Sequence, residues 1–551
     1  MRIKKIFLLL FIIPLLISCT TEKPEVTNRI VIALSADVET INPLYAFTVD
    51  EGTLTETLFL SLIQFEWDNN IGDLIPKQML ATSWQWASDS SFVIFNLRDN
   101  VNWSDGQKFS TSDVVYSFDL YSDPKVQSRL YGSFINFYTD SENHVDTAKT
   151  FEILSPTKIK IKFLPGSVPS LLDVIFPVIP KHVYEKINRE SVPTAEINFN
   201  PITSGAYKLK KWERNQMIVL EANKKSFLYK NGMIDEVLFK IVPDYSSRLT
   251  QLKKGEIDFC ELIKPSDAAD LKKLKNLIIE PVTGREYDYI GWNNIDGDYY
   301  NKTKNIRPNK LFGSSKIRLA LSYAVNRDEI LSEYLREYGQ AAVTPVSPIF
   351  KTYFDETLKP IEFNPEKAKE LLKEEGWQDL NKDGILEKGN TNFSFTLFIP
   401  SGNPLREYAA TIIKNNLKAV GVEIKVEKLE LGAFIDNIIN KKIDAWMASW
   451  YIQVPLELKS YWHSDLEKTP LNFCNYRNND VDLIIRKLDK NISSQERINL
   501  VKKFQGLIYS DQPATFLYWT DNIIVHNRRI IDLTIDPLGA IQKIWEWRVN
   551  N

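Results

Sequence analysis

Apolar and polar positions follow a regular pattern most clearly in the second half of the chain. The spacing over 364–376 predicts a helix, since Asn364 suits its N-cap and a glycine ends it. Alternation over 393–399 predicts a strand, which is followed by a second helix over 404–421 and a second strand over 422–426. The order strand, helix, strand predicts a βαβ unit with parallel pairing, and therefore an α/β fold.

A similar arrangement occurs twice. A predicted helix over 246–254 leads into a strand over 255–259, and a helix over 431–440 leads into a strand over 442–446. Two such junctions in separate regions indicate two α/β lobes of like construction.

Two other stretches have a different pattern of apolar residues. Apolar residues between 74 and 162 alternate over short segments separated by polar turns, which predicts a smaller β-rich subdomain. Residues 316–337 carry apolar side chains near helical spacing and predict one long amphipathic helix whose stripe packs in a core.

The N-terminus predicts export. Basic residues precede an apolar run over 6–17, which is too short for a membrane span and typical of a signal peptide. The run ends in Leu16-Ile17-Ser18-Cys19, which resembles a bacterial lipobox with Cys19 as the lipidated residue. We therefore expect a protein anchored by lipid at the periplasmic face or the cell surface. The alternative is an ordinary signal peptide in which Cys19 has no role.

Composition narrows the class of protein. The net charge of −3, from 68 basic and 71 acidic side chains, offers no bulk attraction to nucleic acid. The 13 Trp, 23 Tyr and 29 Phe exceed what a core requires and favour a binding cleft. Cys260 and Cys474 are expected to be free buried thiols, and no cysteine or histidine spacing predicts a zinc site or a cofactor.

One segment identifies a family by resemblance. Residues 97–118 read LRDNVNWSDGQKFSTSDVVYSF, similar to the signature of the dipeptide and oligopeptide solute-binding proteins that serve ABC importers. Ser104-Asp105-Gly106 has turn chemistry, and Ser112 or Asp113 is expected to cap a helix that begins at Val114. The segment is therefore structural in character and useful as an identifier.

Further matches to the same family are spread over roughly residues 30 to 530. They comprise 34–44, VIPKHVY at 178–184, NPITSGAY at 200–207, IGWN at 290–293 and IRLALSYA at 317–324. Ser204 and Ala206 depart from the family's pattern.

The resemblance implies a bilobal, hinged fold of the periplasmic-binding-protein type (type II, cluster C) with an extra β-rich subdomain in the first lobe. Chain crossings are expected near Trp292 and near Trp519–Asp521. The implied segments are the signal peptide 1–18, the lipidated cysteine and polar tether 19–29, lobe one 30–65, the inserted subdomain 66–198, lobe one again 199–290, lobe two 291–520 and the return segment 521–551.

The same resemblance implies a function. A solute, most simply a peptide, is enclosed between the lobes, and the closed form docks on a membrane permease that works with an ATPase. Closure is a population shift, because ligand contacts to both lobes exist only in the closed state. A monomer is expected.

One position departs from peptide binding. Peptide-binding members hold the ligand's ammonium with an aspartate in a Trp-x-x-Asp pattern, and here Gln453 follows Trp450 at that spacing. A neutral amide cannot supply a charge-assisted contact, although a shifted alignment to Glu457 would restore a carboxylate. An oligosaccharide, a nickel chelate or haem therefore stays open as the ligand. The residues expected to line the cleft are Tyr45, Arg406, Trp450, Tyr451, Gln453 and Trp519.

A single loop has metal-like spacing. Asp379, Asn381 and Asp383 precede a glycine as in the first half of a calcium loop. Glu387 falls at position nine, but Asn390 stands at position twelve, where a carboxylate belongs. We expect a solvated turn and no metal, with a structural calcium site as the alternative.

The other classes of protein to consider are an enzyme and a signalling receptor. No nucleophile elbow, nucleotide-binding glycine loop or zinc-protease motif occurs, so an enzyme is not indicated. A surface receptor that signals without transport is the remaining alternative.

Overall fold

A computed structural model describes residues 28–550. The predicted signal peptide and Cys19 lie outside the described residues. Within residues 28–550, no helix combines the length and the apolar character needed to cross a membrane.

The first half of the chain is rich in strands. Its elements in chain order are β1 (Arg29–Leu34), α1 (Val49–Leu58), β2 (Ile63–Asp68), β3 (Asp73–Gln78), β4 (Ala81–Trp86), β5 (Phe92–Leu97), α2 (Thr111–Ser122), α3 (Thr147–Thr150), β6 (Phe151–Ser155), β7 (Lys158–Lys162), α4 (Lys181–Tyr184), β8 (Tyr207–Glu213), β9 (Met217–Ala222), β10 (Glu236–Ile241), α5 (Tyr245–Lys254), β11 (Phe259–Cys260), α6 (Pro265–Leu271) and β12 (Leu277–Trp292). Three short 3₁₀ helices span Leu171–Val174, Arg189–Thr194 and Glu196–Asn198.

The second half contains the longer helices. Its elements are α7 (Gly297–Thr303), α8 (Ser315–Tyr323), α9 (Arg327–Ile330), a π-helical turn (Leu331–Leu335), β13 (Gly339–Ala341), α10 (Pro365–Glu374), β14 (Glu387–Lys388), β15 (Thr391–Asn392), β16 (Ser394–Pro400), α11 (Pro404–Lys418), β17 (Glu423–Leu429), α12 (Leu431–Ile439), β18 (Ala445–Tyr451), α13 (Lys459–Trp462), α14 (Asn479–Leu488), α15 (Ser494–Asp511), β19 (Ala514–Asn527), β20 (Ile530–Ile531), β21 (Thr534–Asp536), β22 (Gly539–Gln542) and β23 (Arg548–Val549).

One mixed sheet of eleven strands runs through both lobes. Its order is β17-β16-β18-β12-β19-β11-β1-β10-β9-β8, and β13 also pairs with β19. In the first lobe β1 lies parallel to β10 and β11, and in the second lobe β16 lies parallel to β17 and β18. The long strands β12 and β19 pair antiparallel and belong to both lobes.

The chain changes lobe at an irregularity in these two strands. The register of β12 against β19 shifts between Thr283 and Glu286, opposite Thr520 and Asp521. A Cβ on Gly284 would lie 1.9 Å from the Thr520 carbonyl oxygen, so only glycine fits there. We call Gly284, Arg285, Thr520 and Asp521 the crossover. Thr520 and Asp521 lie in the stretch expected for the crossing on β19, and Trp292, near which the other crossing is expected, lies in the second lobe's core.

Alternation along the strands fills two cores in the second lobe. Ala445 and Met447 pack on one face with α8, α10 and α11, while Trp446 and Ala448 pack on the other with α12, α14 and α15. The first lobe has its own core, which continues without a break into the sheet β4-β5-β7-β6 of the β-rich subdomain. Cys260 and Cys474 are free and buried, as expected.

The motif at 97–118 folds as a structural element, with one correction. Ser110, not Ser112 or Asp113, caps α2: its hydroxyl accepts from the Ser112 amide (3.3 Å), and the Asp113 carboxylate accepts from the Ser110 amide (2.9 Å). This capping box starts the helix at Thr111 rather than Val114. Trp103 of the motif is buried in the first lobe's core.

The βαβ unit predicted from the periodicity is confirmed. Strands β16 and β17 pair in parallel across α11, and Asn403 and Pro404 begin the helix. The helix over 364–376 is also confirmed as α10, capped by the Asn364 side chain.

The single long helix predicted over 316–337 is wrong. The structure has α8, a break at Ala324–Asn326, the short helix α9 and a π-helical turn. Asn326 starts a new helix by accepting from the Glu329 amide (3.3 Å), and the buried Arg327 guanidinium donates to the carbonyls of Ser322 and Phe516. Local polar bonds therefore interrupt the helix although the apolar spacing continues.

Both helix-to-strand junctions exist, but their strands begin later than predicted. β11 starts at Phe259 and β18 at Ala445, each one residue after an aspartate, of which Asp258 is buried and Asp444 is exposed. Asp258 accepts from Arg529 (2.8 Å), and Asp444 accepts from Asn309 (2.7 Å). The two lobes thus share a junction of the same construction.

The hairpin β2–β3 extends from the first lobe onto the second. Trp67 packs edge-on against Phe350, with ring centroids 5.7 Å apart, and the Tyr353 hydroxyl donates to Asp73 (3.0 Å). The Thr352 amide donates to the Ile71 carbonyl (2.9 Å) at the hairpin's turn. The lobes are thereby joined at a second place besides the crossover.

Candidate functional site

A cavity of about 720 Å³ lies between the two lobes. Most of its wall comes from the first lobe, and the chain's return segment adds Leu538, Gln542 and Trp545. Arg285 at the crossover and Gln453 and Val454 after β18 supply the opposing side. A concave site shared by two lobes is where ligands most often bind.

The mouth of the cavity is apolar. Phe47 and Val49, which flank the N-cap of α1, are 75% and 71% exposed and line the cavity. The polar groups of this helix start are already satisfied, because the Glu51 carboxylate accepts from the Phe47 and Thr48 amides (2.8 and 2.9 Å). This edge therefore offers apolar contact rather than a free anion site.

An acidic side chain on the first lobe has no partner in the described chain. Glu56 of α1 lines the cavity and forms no ion pair or side-chain hydrogen bond with residues 28–550. Desolvation by the surrounding protein raises its pKa, and only the charge of Arg129 opposes this. Asp173, by contrast, accepts from the Ser170 amide (2.7 Å) and the Asn136 amide group (2.9 Å). Glu56 is thus the acid of the cavity with unused bonding capacity.

A cationic side chain faces the cavity from the crossover. The Arg285 guanidinium lies over the Tyr451 ring, 4.4 Å from its centroid, and donates to the Tyr451 hydroxyl (2.5 Å). Its contact to the Ile452 carbonyl is long (3.4 Å), and its Nε is buried without a partner within residues 28–550. No described carboxylate pairs with it, so Arg285 can accept an anion from outside.

Two of the predicted cleft residues, Gln453 and Tyr451, lie at the cavity or contact Arg285 beside it. Gln453 lines the cavity, and its side chain is exposed. Tyr451 is 49% exposed and holds Arg285 from β18. The stretch after Trp450 therefore does reach the cleft.

Three predicted aromatic residues lie in packed environments instead. The Tyr45 hydroxyl donates to the Val126 carbonyl (2.9 Å), and Trp450 packs between Tyr461 and Phe473. Trp519 is 1% exposed in the second lobe's core. None of the three lines the cavity. Other aromatic residues do line the cavity, as the aromatic content favours: Phe47, Phe59, Phe65, Phe134, Phe176 and Trp545.

Arg406 does not line the cavity either. Its guanidinium donates to both carboxylate oxygens of Asp288, from Nε at 3.0 Å and from Nη2 at 2.9 Å, and the Tyr518 hydroxyl donates to the same carboxylate (3.2 Å). Burial alone would lower the pKa of Arg406, but the charge of Asp288 raises it above its usual value. Arg406 therefore belongs to a buried ion pair inside the second lobe.

Sequence reasoning missed Glu56, Arg129 and Arg285. The two residues of the first lobe lie in segments without any motif. The pair Gly284-Arg285 could have been noticed, because a glycine inside a long strand often marks a bulge. A bulge there would place the charged Arg285 at a bend in the strand.

The loop with calcium-like spacing lies on the second lobe away from the cavity. The structure brings the carboxylates of Asp379, Asp383 and Glu387 within 4.8 Å of one another. Asp379 and Asp383 are exposed, as in a solvated turn, whereas Glu387 is buried.

Comparison with known proteins identifies the family. The model of the bacterial extracellular solute-binding proteins, family 5, matches residues 76–469. The chain belongs to this family. Its members bind solutes rather than catalyse reactions, and an exported location is expected for them.

The similarity to individual relatives extends over almost the full length of the chain. The oligopeptide-binding protein AppA of Bacillus subtilis is 29% identical over 534 residues, which are 95% of this chain and 92% of the relative. The glutathione-binding protein GsiB of Salmonella paratyphi A is 23% identical over 92% of each chain.

Solved structures share the bilobal α/β fold. AppA of Bacillus subtilis in complex with a nonapeptide superposes with a TM-score of 0.70 at 27% identity, covering 95% of this chain and 99% of that one. NikZ of Campylobacter jejuni in complex with Ni(L-His) gives 0.70 at 26% identity with the same coverage. CtaP of Listeria monocytogenes gives 0.77 at 24% identity, also over 95% and 99%.

Proposed function

We propose that the protein is the substrate-binding component of an ABC importer and captures a peptide or peptide-like solute between its lobes. The observation that carries this proposal is a pair of opposite charges on different walls of one cavity, Glu56 and Arg285, neither of which forms an ion pair within residues 28–550. A peptide carries an ammonium group at one end and a carboxylate at the other.

Glu56 replaces the missing anchor for the ammonium group. Gln453 lines the cavity but cannot form a charge-assisted hydrogen bond to a cation. An ammonium group beside Glu56 would oppose the effect of desolvation and lower the carboxyl's raised pKa. Because Glu56 is exposed at the cavity wall, its carboxylate is accessible to such a group.

Arg285 suits the other end of the ligand. A carboxylate at its guanidinium would neutralise the charge, which is not paired with a carboxylate within residues 28–550. Because Arg285 lies at the crossover and Glu56 lies on the first lobe, a ligand that contacts Arg285, Gln453 and Glu56 together favours the closed arrangement.

The space and lining of the cavity support a small peptide. A volume of about 720 Å³ is within the range typical of sites for small organic ligands. Phe47, Val49 and Trp545 offer apolar contact to side chains of varied shape. That AppA is named for oligopeptides and that its structure holds a nonapeptide agree with this class of ligand.

The test is a binding series that varies only the ligand's ends. Short peptides are compared by calorimetry with the same peptides N-acetylated or C-amidated, together with an oligosaccharide and Ni(L-His). We expect free peptides to bind and N-acetylation to weaken binding about tenfold or more, the loss of one charged hydrogen bond. In Glu56→Gln the free and acetylated peptides should bind alike, while the surface variant Glu142→Gln keeps the difference.

A specific observation favours a second ligand class. Gln453 and Gln542 place neutral amides on the cavity wall, and amides hydrogen-bond hydroxyl groups. Binding of the oligosaccharide or the metal chelate without peptide binding would replace the peptide proposal and leave the family assignment intact.

Delivery and anchoring follow from the same proposal. The closed form of a monomer passes its solute to a permease and its ATPase, and a lipid on Cys19 keeps the protein at the membrane. Labelling with radioactive palmitate should mark the wild type and not Cys19→Ala. An unlabelled wild type would reject the anchor. A chromosomal neighbourhood without permease or ATPase genes would favour a signalling receptor.

A further inference from the structure

The loop between α10 and β14 has oxygen-bearing side chains at alternate positions. Asp379, Asn381 and Asp383 are followed by Gly384, whose φ of +90° allows the sharp turn that a calcium loop makes. The sequence predicts a solvated turn here because Asn390 stands where a closing carboxylate belongs. In the structure the closing carboxylate is supplied by Glu387.

The fold holds Glu387 against the loop. Backbone hydrogen bonds join Gln378 and Glu387 in both directions (3.1 and 2.8 Å), which closes the loop at its base. As a result the carboxylates of Asp379, Asp383 and Glu387 lie within 4.8 Å of one another. Three like charges at this separation repel unless a cation lies between them.

The Glu387 carboxylate itself points to a ligand. The residue is 7% exposed, and its Oε2 accepts from the Leu380 amide (2.8 Å). Its Oε1 is buried and has no hydrogen-bond partner within residues 28–550. Burying an unpaired carboxylate oxygen is costly, and proteins do so where a metal or another partner satisfies it.

We propose that Asp379, Asn381, Asp383 and Glu387 form a calcium site, with the Ile385 carbonyl as a further oxygen ligand. The donors are all oxygen, which suits a hard cation and excludes a preference for zinc or copper. Calcium fits better than magnesium because it accepts many protein oxygens in irregular geometry, whereas magnesium retains its waters.

The role of the site is structural. None of its residues lines the cavity. At the loop's base, Trp377 packs on Phe393 with ring centroids 4.5 Å apart, and Phe393 precedes β16 of the central sheet. Calcium would therefore fasten the α10–β16 connection to the second lobe's core and stabilise that lobe.

The test is a metal titration of the full-length protein after removal of divalent cations with EDTA. We expect calcium to bind with a dissociation constant of about 10⁻⁴ to 10⁻³ M, as in other extracellular sites, and to raise the melting temperature. Magnesium should bind more weakly. Terbium should bind in place of calcium, with luminescence excited through Trp377, and calcium should displace it.

Two variants locate the binding. Asp383→Asn changes an exposed ligand and keeps the fold, while Glu387→Gln removes the buried one; each should weaken calcium binding about tenfold or more. The exposed control Glu362→Gln should bind as the wild type does. Absence of calcium binding to the wild type, or equal binding to the wild type and both loop variants, would overturn the proposal.

Discussion

Two regions of the strand pair β12–β19 differ in whether their charged side chains have bonding partners. In the second lobe, Asp288 of β12 is enclosed by Arg406 and Tyr518 and is fully hydrogen-bonded to them. A few residues earlier, at the crossover, Arg285 has no carboxylate partner among the described residues, and Asp521 has a pKa raised by burial to about 6. The Arg406–Asp288 pair is complete, whereas the crossover is left with unsatisfied charge.

This difference distinguishes charged residues that stabilise the fold from charged residues that a ligand could contact. A complete buried pair needs no further partner and cannot respond to a ligand. Unsatisfied charges at a bend cost stability in the free protein, and that cost is recovered when a ligand supplies the partner.

The largest expected effect is on the complete pair. Arg406→Met leaves Asp288, whose side chain is 5% exposed, buried without its cation, and should lower the free energy of unfolding by about 3–5 kcal/mol. Urea unfolding measures this. The double variant Arg406→Met/Asp288→Asn should recover much of the loss. A single variant as stable as the wild type would show that the pair is not closed to water.

A smaller effect is expected at the crossover, and on binding rather than stability. Arg285→Gln should weaken binding of peptides with a free carboxylate by about 1.5–3 kcal/mol, or ten- to a hundred-fold. Stability should change by no more than about 0.5 kcal/mol, since no ion pair is broken. Calorimetry with free and C-amidated peptides checks the first expectation. Equal losses for both peptides would mean that Arg285 does not contact the carboxylate.

The smallest effect concerns pH. Because burial raises the pKa of Asp521 from 3.8 to about 6, the folded state binds its proton more tightly than the unfolded state. Stability from this group is present below pH 3.8 and is lost as the pH rises to about 6. Asp521→Asn should therefore stabilise the protein at pH 7 by about 1 kcal/mol, allowing for its partial exposure, and change nothing at pH 3. Urea unfolding at both pH values checks the sign.

Local periodicity predicted the parts of the fold that depend on local causes. Strands β16 and β17 and helix α11 follow from apolar spacing and the start at Asn403-Pro404. The long helix over 316–337 failed because its interruption depends on Arg327, whose guanidinium bonds carbonyls distant in sequence. The apolar pattern does not change where β12 leaves one core for the other, so it could not locate the bend at Gly284.

The cleft was predicted less well than the fold. Gln453 and Tyr451 were found because a family pattern places them after a strand end. Arg406 and Trp519 were misplaced because a charged or aromatic residue in sequence gives no sign of whether the fold supplies a partner for it. Glu56 lies in an ordinary helix, and only the folded chain shows that it lines the cavity without an ion-pair partner among the described residues.

The hairpin β2–β3 bears on how the lobes can move. It is held by Phe350, Thr352 and Tyr353 of the second lobe, at a place separate from the crossover. A rotation of the lobes that kept this hairpin in place would have to pivot near its tip as well as at the bend in the two long strands, and a larger opening would have to release Phe350, Thr352 and Tyr353 from it.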